Sequence, residues 1–226
     1  MRPLPRDSAV NGIVLSNAIT LALAWWAGDG LLFLLWPYWI QSVVIGYFAQ
    51  RRIRRLRDFS VEGLKINGRP ATNTPSTAKW SANFFVVHYG LFHLVYAIFL
   101  TTFSAAPYAQ GVVPSFDDAT GTFGRDLLGR ISVGEWPFIA LAGLSFAWSH
   151  AASHRMHVEH DLRGKPNLGA LMFVPYVRIV PMHLTIILGT VLGGGLFGML
   201  LFASLKTVAD VAMHYIEHRM LQRAPT

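Results

Sequence analysis

The stretch Leu31-Leu-Phe-Leu-Leu-Trp-Pro-Tyr-Trp-Ile-Gln-Ser-Val-Val-Ile-Gly-Tyr-Phe-Ala-Gln-Arg-Arg-Ile-Arg-Arg-Leu-Arg57 decides the fold. It places twenty residues without a formal charge directly before Arg51, Arg52, Arg54, Arg55 and Arg57. About twenty apolar residues at about 1.5 Å each span the hydrocarbon core of a bilayer. A basic block at the end of such a run is the charge bias of a cytoplasmic loop. The stretch therefore reads as a membrane span over about 31–50 with its arginine end in the cytoplasm. Pro37 implies a kink that neighbouring helices must satisfy. Gln41 lies at membrane depth and is expected to hydrogen-bond across to another helix.

The same pattern recurs on both sides. Hydrophobic residues make up 53% of the 226 and charged residues only 14%, and the mean hydropathy is +0.39. Apolar runs fall near 10–27, 31–50, 82–103, 137–154, 177–192 and 196–218. They predict an all-α polytopic membrane bundle of six transmembrane helices, with residues 1–226 as one integral membrane domain. Trp25 and Trp26 close the first run as an interfacial anchor. That run offers no convincing cleavage site and is read as a retained span. Two loops, 51–80 and 104–134, separate the longer runs. There are no cysteines, which excludes disulfides, iron–sulfur clusters and thiolate metal sites.

A net charge of +7 could suggest nucleic acid, but the charges sit beside apolar runs and point to a membrane instead. With the N-terminus inside, the inner segments hold sixteen of the nineteen Lys and Arg residues, Arg178 among them. The outer loops hold only Arg125 and Arg130, and Lys206 lies within a span. The bias predicts both termini in the cytoplasm.

Functional residues concentrate near the end of the chain, in Leu205-Lys-Thr-Val-Ala-Asp-Val-Ala-Met-His-Tyr-Ile-Glu-His218. Lys206, Asp210, His214 and His218 are spaced four apart and share one helical face. An Asp and a His are costly on a lipid-facing surface, so they should face protein and find partners there. His88 and His183 are each six residues from the inner end of their predicted spans, roughly 9 Å deep. His150 and His214 are four residues from theirs, roughly 6 Å deep. Four helices thus bring imidazoles toward one layer, as bundles do when they build metal sites. The candidate ligands are His88, His183 and His214, with His150 or Asp210 completing or orienting the shell. Nitrogen and oxygen donors without sulfur suit zinc first, with iron or manganese as alternatives. A haem held by two of the histidines and a purely structural polar network are the competing readings. His93 points about 140° away from His88 on a helix. His154, His157 and His160 read as a solvated helix end.

Several motifs resemble an uncharacterised family of six-span prokaryotic membrane proteins classified as a domain of unknown function. They are Trp36-Pro-Tyr-Trp39, Phe84-Phe-Val-Val-His-Tyr-Gly90, Ser149-His150, Pro175-Tyr-Val-Arg178 with His183, and Lys206-Thr-Val-Ala-Asp210 with His214. The resemblance covers nearly the whole chain. It implies that His88, His150, His183, Asp210 and His214 are the family's polar set, and it places the chain in a prokaryotic inner membrane. Gln41 stands where that pattern leads one to expect a glutamate. No activity comes with the resemblance.

A metal on these ligands would activate water to hydrolyse a lipid or other amphiphilic substrate entering between helices. The arrangement is similar, by analogy only, to seven-span zinc hydrolases of the ceramidase and adiponectin-receptor class. A metal or proton transporter is the alternative, though no second polar layer toward the outer face is evident. Expected partners are the bilayer, an amphiphilic substrate and a second copy of the chain as homo-oligomer, and not nucleic acid.

Overall fold

The computed structural model describes residues 8–27, 30–105, 131–192 and 196–222. They form α1 (Ser8–Ala27), α2 (Leu31–Arg55) and α3 (Pro75–Ala105), then α4 (Trp136–Arg163), the short α5 (Leu168–Phe173), α6 (Ile179–Leu192) and α7 (Leu196–Gln222). A 3-10 turn at Val133–Glu135 leads into α4, and another at Val174–Arg178 joins α5 to α6. The one sheet among the described residues is a hairpin of β1 (Lys65–Ile66) and β2 (Arg69–Pro70).

The chain is a helical membrane protein. Among the described residues four helical segments, Leu31–Arg55, Pro75–Ala105, Leu168–Leu188 and Leu196–Ile216, are long and apolar enough to cross a bilayer. That is fewer than the six expected. The apolar part of α1, Val10–Trp26, is shorter. α4 is not among them, because Ser149, His150, His154 and Arg155 dilute its apolar run.

Boundaries also move. α2 runs through its arginines to Arg55, so the first four lie on the helix rather than in a loop, and cations in a last turn suit the helix dipole. α3 begins at Pro75, where the proline costs no hydrogen bond, and not near 82. The fifth apolar segment begins at Leu168, capped by Asn167, whose Oδ1 accepts from the Ala170 amide at 2.8 Å. Of the two starts the sequence leaves open, near 177 or before Pro175, the structure has the earlier one, about two and a half turns before 177. Pro175 then breaks the helix into the 3-10 turn that carries Arg178.

The Trp36-Pro-Tyr-Trp39 segment fastens α2 to its neighbours through three polar tips. Trp36 Nε1 donates to Ser104 Oγ at 3.0 Å and Trp39 Nε1 to the His93 carbonyl at 2.9 Å, both on α3. Tyr38 Oη donates to the Arg178 carbonyl at 2.9 Å. The main core, including Leu35, Tyr38, Phe85, Tyr96, Met182 and Phe202, fills the space between these helices. Many large apolar side chains point outward, Trp148 at 81% exposure and Val87 at 72%, as a lipid-facing surface requires.

Residues 51–80, expected to be a plain loop, instead cap one end of the bundle. Ile53, Leu56, Phe59, Ala78, Leu168 and Leu171 form a second core there. Ser60 joins this cap to the α4–α5 connection, donating to the Pro166 carbonyl and accepting from the Leu168 amide, each at 2.9 Å. Asn67 and Gly68, both at positive φ, make the two-residue hairpin turn. Arg52 and Asp161 tie α2 to α4 in a bidentate pair at 2.8 and 3.0 Å. The Asp161 side chain is only 5% exposed and that of Arg52 19%, so the pair is largely buried.

Candidate functional site: a charged centre inside the bundle

The break at Val174–Arg178 puts a guanidinium where a continuous helix would have put apolar side chains. Arg178, 6% exposed, reaches α7 and α2 together. Its Nη1 donates to Asp210 Oδ1 at 2.8 Å, its Nη2 to Gln41 Oε1 at 3.1 Å, and its Nε to Ser42 Oγ at 3.5 Å. Asp210 Oδ2 accepts from Lys206 Nζ at 2.6 Å and from Asn17 Nδ2 of α1 at 3.3 Å. Lys206 also donates to Asn17 Oδ1 at 2.6 Å, and Asn17 Nδ2 reaches Thr207 Oγ1 at 3.2 Å. The centre therefore draws on α1, α2, α7 and the 3-10 turn.

One carboxylate serves two cations here, which leaves a formal surplus of +1. The Tyr38 ring lies 4.6 Å from the Arg178 guanidinium carbon and 5.8 Å from Lys206 Nζ. Its negative face supplies part of the missing counter-charge. Gln41 fulfils the expectation of a hydrogen bond across helices, and Asp210 that of a partnered interior acid.

Beside the centre lies a cavity of about 270 Å³ between α1, α2, α4 and α7. Asn17, Gln41 and Lys206 line one end, while Leu21, Phe33 and Phe138 belong to its apolar lining. Along α2, Phe33 precedes Gln41 by eight residues, roughly 12 Å. Along α7, Phe202 precedes Lys206 by one turn. Both helices run toward the arginine-rich end, so the cavity is polar on that side and apolar on the other.

The histidines are distributed differently from the expected layer. His88 is exposed on α3 and its Nδ1 pairs with Tyr176 Oη at 2.8 Å. His183 is exposed on α6 and its Nδ1 pairs with Tyr96 Oη at 3.0 Å. His183 lies seven residues beyond Tyr176, so the two pairs are roughly 10 Å apart along the seam. His150 packs beside Phe48 and Phe146, with ring centroids at 5.2 and 5.7 Å, and His214 beside Tyr215 at 5.8 Å. Among the described residues no group of three or more His, Asp or Glu is gathered as a metal would need.

His93, set aside on spacing, is the buried histidine of α3. Its Nδ1 meets the Tyr89 carbonyl at 2.9 Å. His154 is also buried, packed on Phe48 with centroids 4.7 Å apart, and is not a solvated helix end. The side chains of His157 and His218 lie outside the described residues.

A family described as "Family of unknown function (DUF6498)" matches the chain over residues 1–226. The chain belongs to this family. Neither the curated proteins nor the solved structures offer a match. For this member of the DUF6498 family the reading of function thus rests on the centre itself. Arg178, missed as a site residue, was visible only as part of the Pro175-Tyr-Val-Arg178 motif. A lone arginine after ten residues of predominantly apolar sequence, Leu168–Val177, was the available signal, since such a charge must find a carboxylate.

Proposed function

We propose that the protein binds an amphiphile from the bilayer in the cavity beside the Arg178–Asp210–Lys206 centre. The observation that carries this reading is Lys206: it is four-fifths covered, shares its carboxylate with a second cation, and lines a cavity whose other end is apolar. A purely structural ion pair would be balanced and walled off. This centre is neither.

The setting proposed for it is a prokaryotic inner membrane crossed six times, α1 and α4 completing the four apolar segments, with both termini in the cytoplasm. Arg178 no longer counts toward the orientation, because it belongs to the interior. Fifteen basic residues on the inner side against Arg125 and Arg130 still support that orientation.

Native mass spectrometry of the protein in mild detergent tests the reading. An amphiphile should stay bound to the wild type and be lost from Ala203→Phe, which fills the cavity. Equal retention by both would refute it. Metal-dependent hydrolysis on His88, His183 and His214, with zinc, iron or manganese, is a separate reading. It requires those side chains to converge on one ion, and elemental analysis of untreated protein checks it.

A further inference from the structure

The polar end of the cavity has a hydrogen-bonding character that narrows the ligand. Lys206 carries three N–H donors, of which one goes to Asn17 and one to Asp210. Gln41 has its oxygen taken by Arg178, which has only donors to offer, so the orientation of the amide is fixed and its NH₂ lies on the other side. Asn17 is committed at both atoms, its oxygen to Lys206 and its nitrogen to Thr207 and Asp210. The Tyr38 hydroxyl donates to a backbone carbonyl. The amide oxygens of Asn17 and Gln41 and the hydroxyl proton of Tyr38 are therefore engaged, while the third ammonium proton and the Gln41 amide protons remain for a ligand. Ser16 and Thr20 flank them with hydroxyls, the latter donating to the Ser16 carbonyl at 2.8 Å.

We infer that the cavity binds a single-chain carboxylate, its head on Lys206 and Gln41 and its tail along Leu21, Phe33 and Phe138. This rests on the amphiphile reading and adds the chemistry of the head. An ionised carboxylate is acceptor-only, carries one charge and offers two oxygens, which matches the remaining N–H donors of Lys206 and Gln41 and the surplus of +1. Depth agrees with this. Gln41 is ten residues from Leu31 and ten from Arg51, so the floor lies roughly 15 Å from either end of the span. A two-chain phospholipid keeps its head at the interface and would not reach this level. A single-chain acid can.

The test is competition for radiolabelled dodecanoate on the purified full chain in an uncharged detergent. Unlabelled dodecanoate should compete at least about 10-fold better than dodecanol, the worth of a hydrogen bond to a charged group. Lys206→Met should remove that preference and leave dodecanol binding nearly unchanged. Gln41→Glu, which cancels the surplus charge while keeping a partner for Arg178, should do the same and serves if Lys206→Met fails to fold. Equal competition by dodecanol and dodecanoate overturns the carboxylate inference and leaves the amphiphile reading standing. Tighter competition by dodecyl phosphate overturns it in favour of a phosphate head. Failure of all three chains to bind overturns both.

Discussion

Among the described residues Asp210 is the only acid in a centre with two bases, and that asymmetry orders the effects of substitution. Asp210→Ala leaves the buried Arg178 and the largely covered Lys206 without a counter-ion and should cost about 3–5 kcal/mol. Lys206→Met removes the surplus charge while Arg178 still pairs with Asp210, so its cost should be clearly smaller. Thermal unfolding in detergent measures both, and equal losses would refute the charge-balance account. Part of this centre was legible beforehand. Lys206 and Asp210 stand four apart on one helical face, and an acid inside a span needs a partner. Arg178 is not legible as that partner, because a fifth span starting at 177 puts it at the membrane edge and only a start before Pro175 puts it inside. The histidines misled for another reason. Counting residues from helix starts puts His183 nearly level with His88 even from the observed starts, but such counting cannot tell whether two imidazoles share a site, nor a face that meets protein from one that meets lipid.

At the scale of elements, α2 and α3 approach closely at Gly46. A Cβ added at Gly46 would overlap the Tyr89 ring, whose hydroxyl donates to the Ser42 carbonyl at 3.0 Å. Gly46→Ala should therefore destabilise by about 1–3 kcal/mol, as overpacking does. Gly90→Ala on α3, where nothing lies within 4 Å, should be neutral or mildly stabilising. Chemical denaturation of the two variants separates packing from helix propensity; similar behaviour of the pair would contradict the close contact. The Arg52–Asp161 pair admits a further check. Asp161→Ala should be more harmful than the double variant Arg52→Met with Asp161→Leu, since only the single change strands a buried charge. The cap that this pair anchors was poorly legible. Asn67-Gly68 is a hairpin signal in its own right, but the polar residues around it carry no periodicity, and its core is completed by Leu168 and Leu171 from a hundred residues away.

For the whole molecule, the helical membrane class followed directly from the apolar runs, because the bilayer imposes both length and hydrogen-bond closure on them. The number of spans was less legible, since the apolar part of α1 is short and α4 carries imidazoles and hydroxyls. Reporter fusions after Asn67 and after Gly111 should report opposite faces, and the same face for both would remove α3 as a span. The packing of α1 adds a constraint on biogenesis. α1 lies mainly along α7 and hardly touches α2, its neighbour in sequence. During synthesis it must therefore remain beside the translocation machinery or in lipid until nearly two hundred further residues have been made. Only then does Asn17 meet Lys206 and Asp210. The cavity thus does not exist in any nascent intermediate. It is completed when the earliest described helix is met by the last, so ligand occupancy would report that the chain has finished assembling.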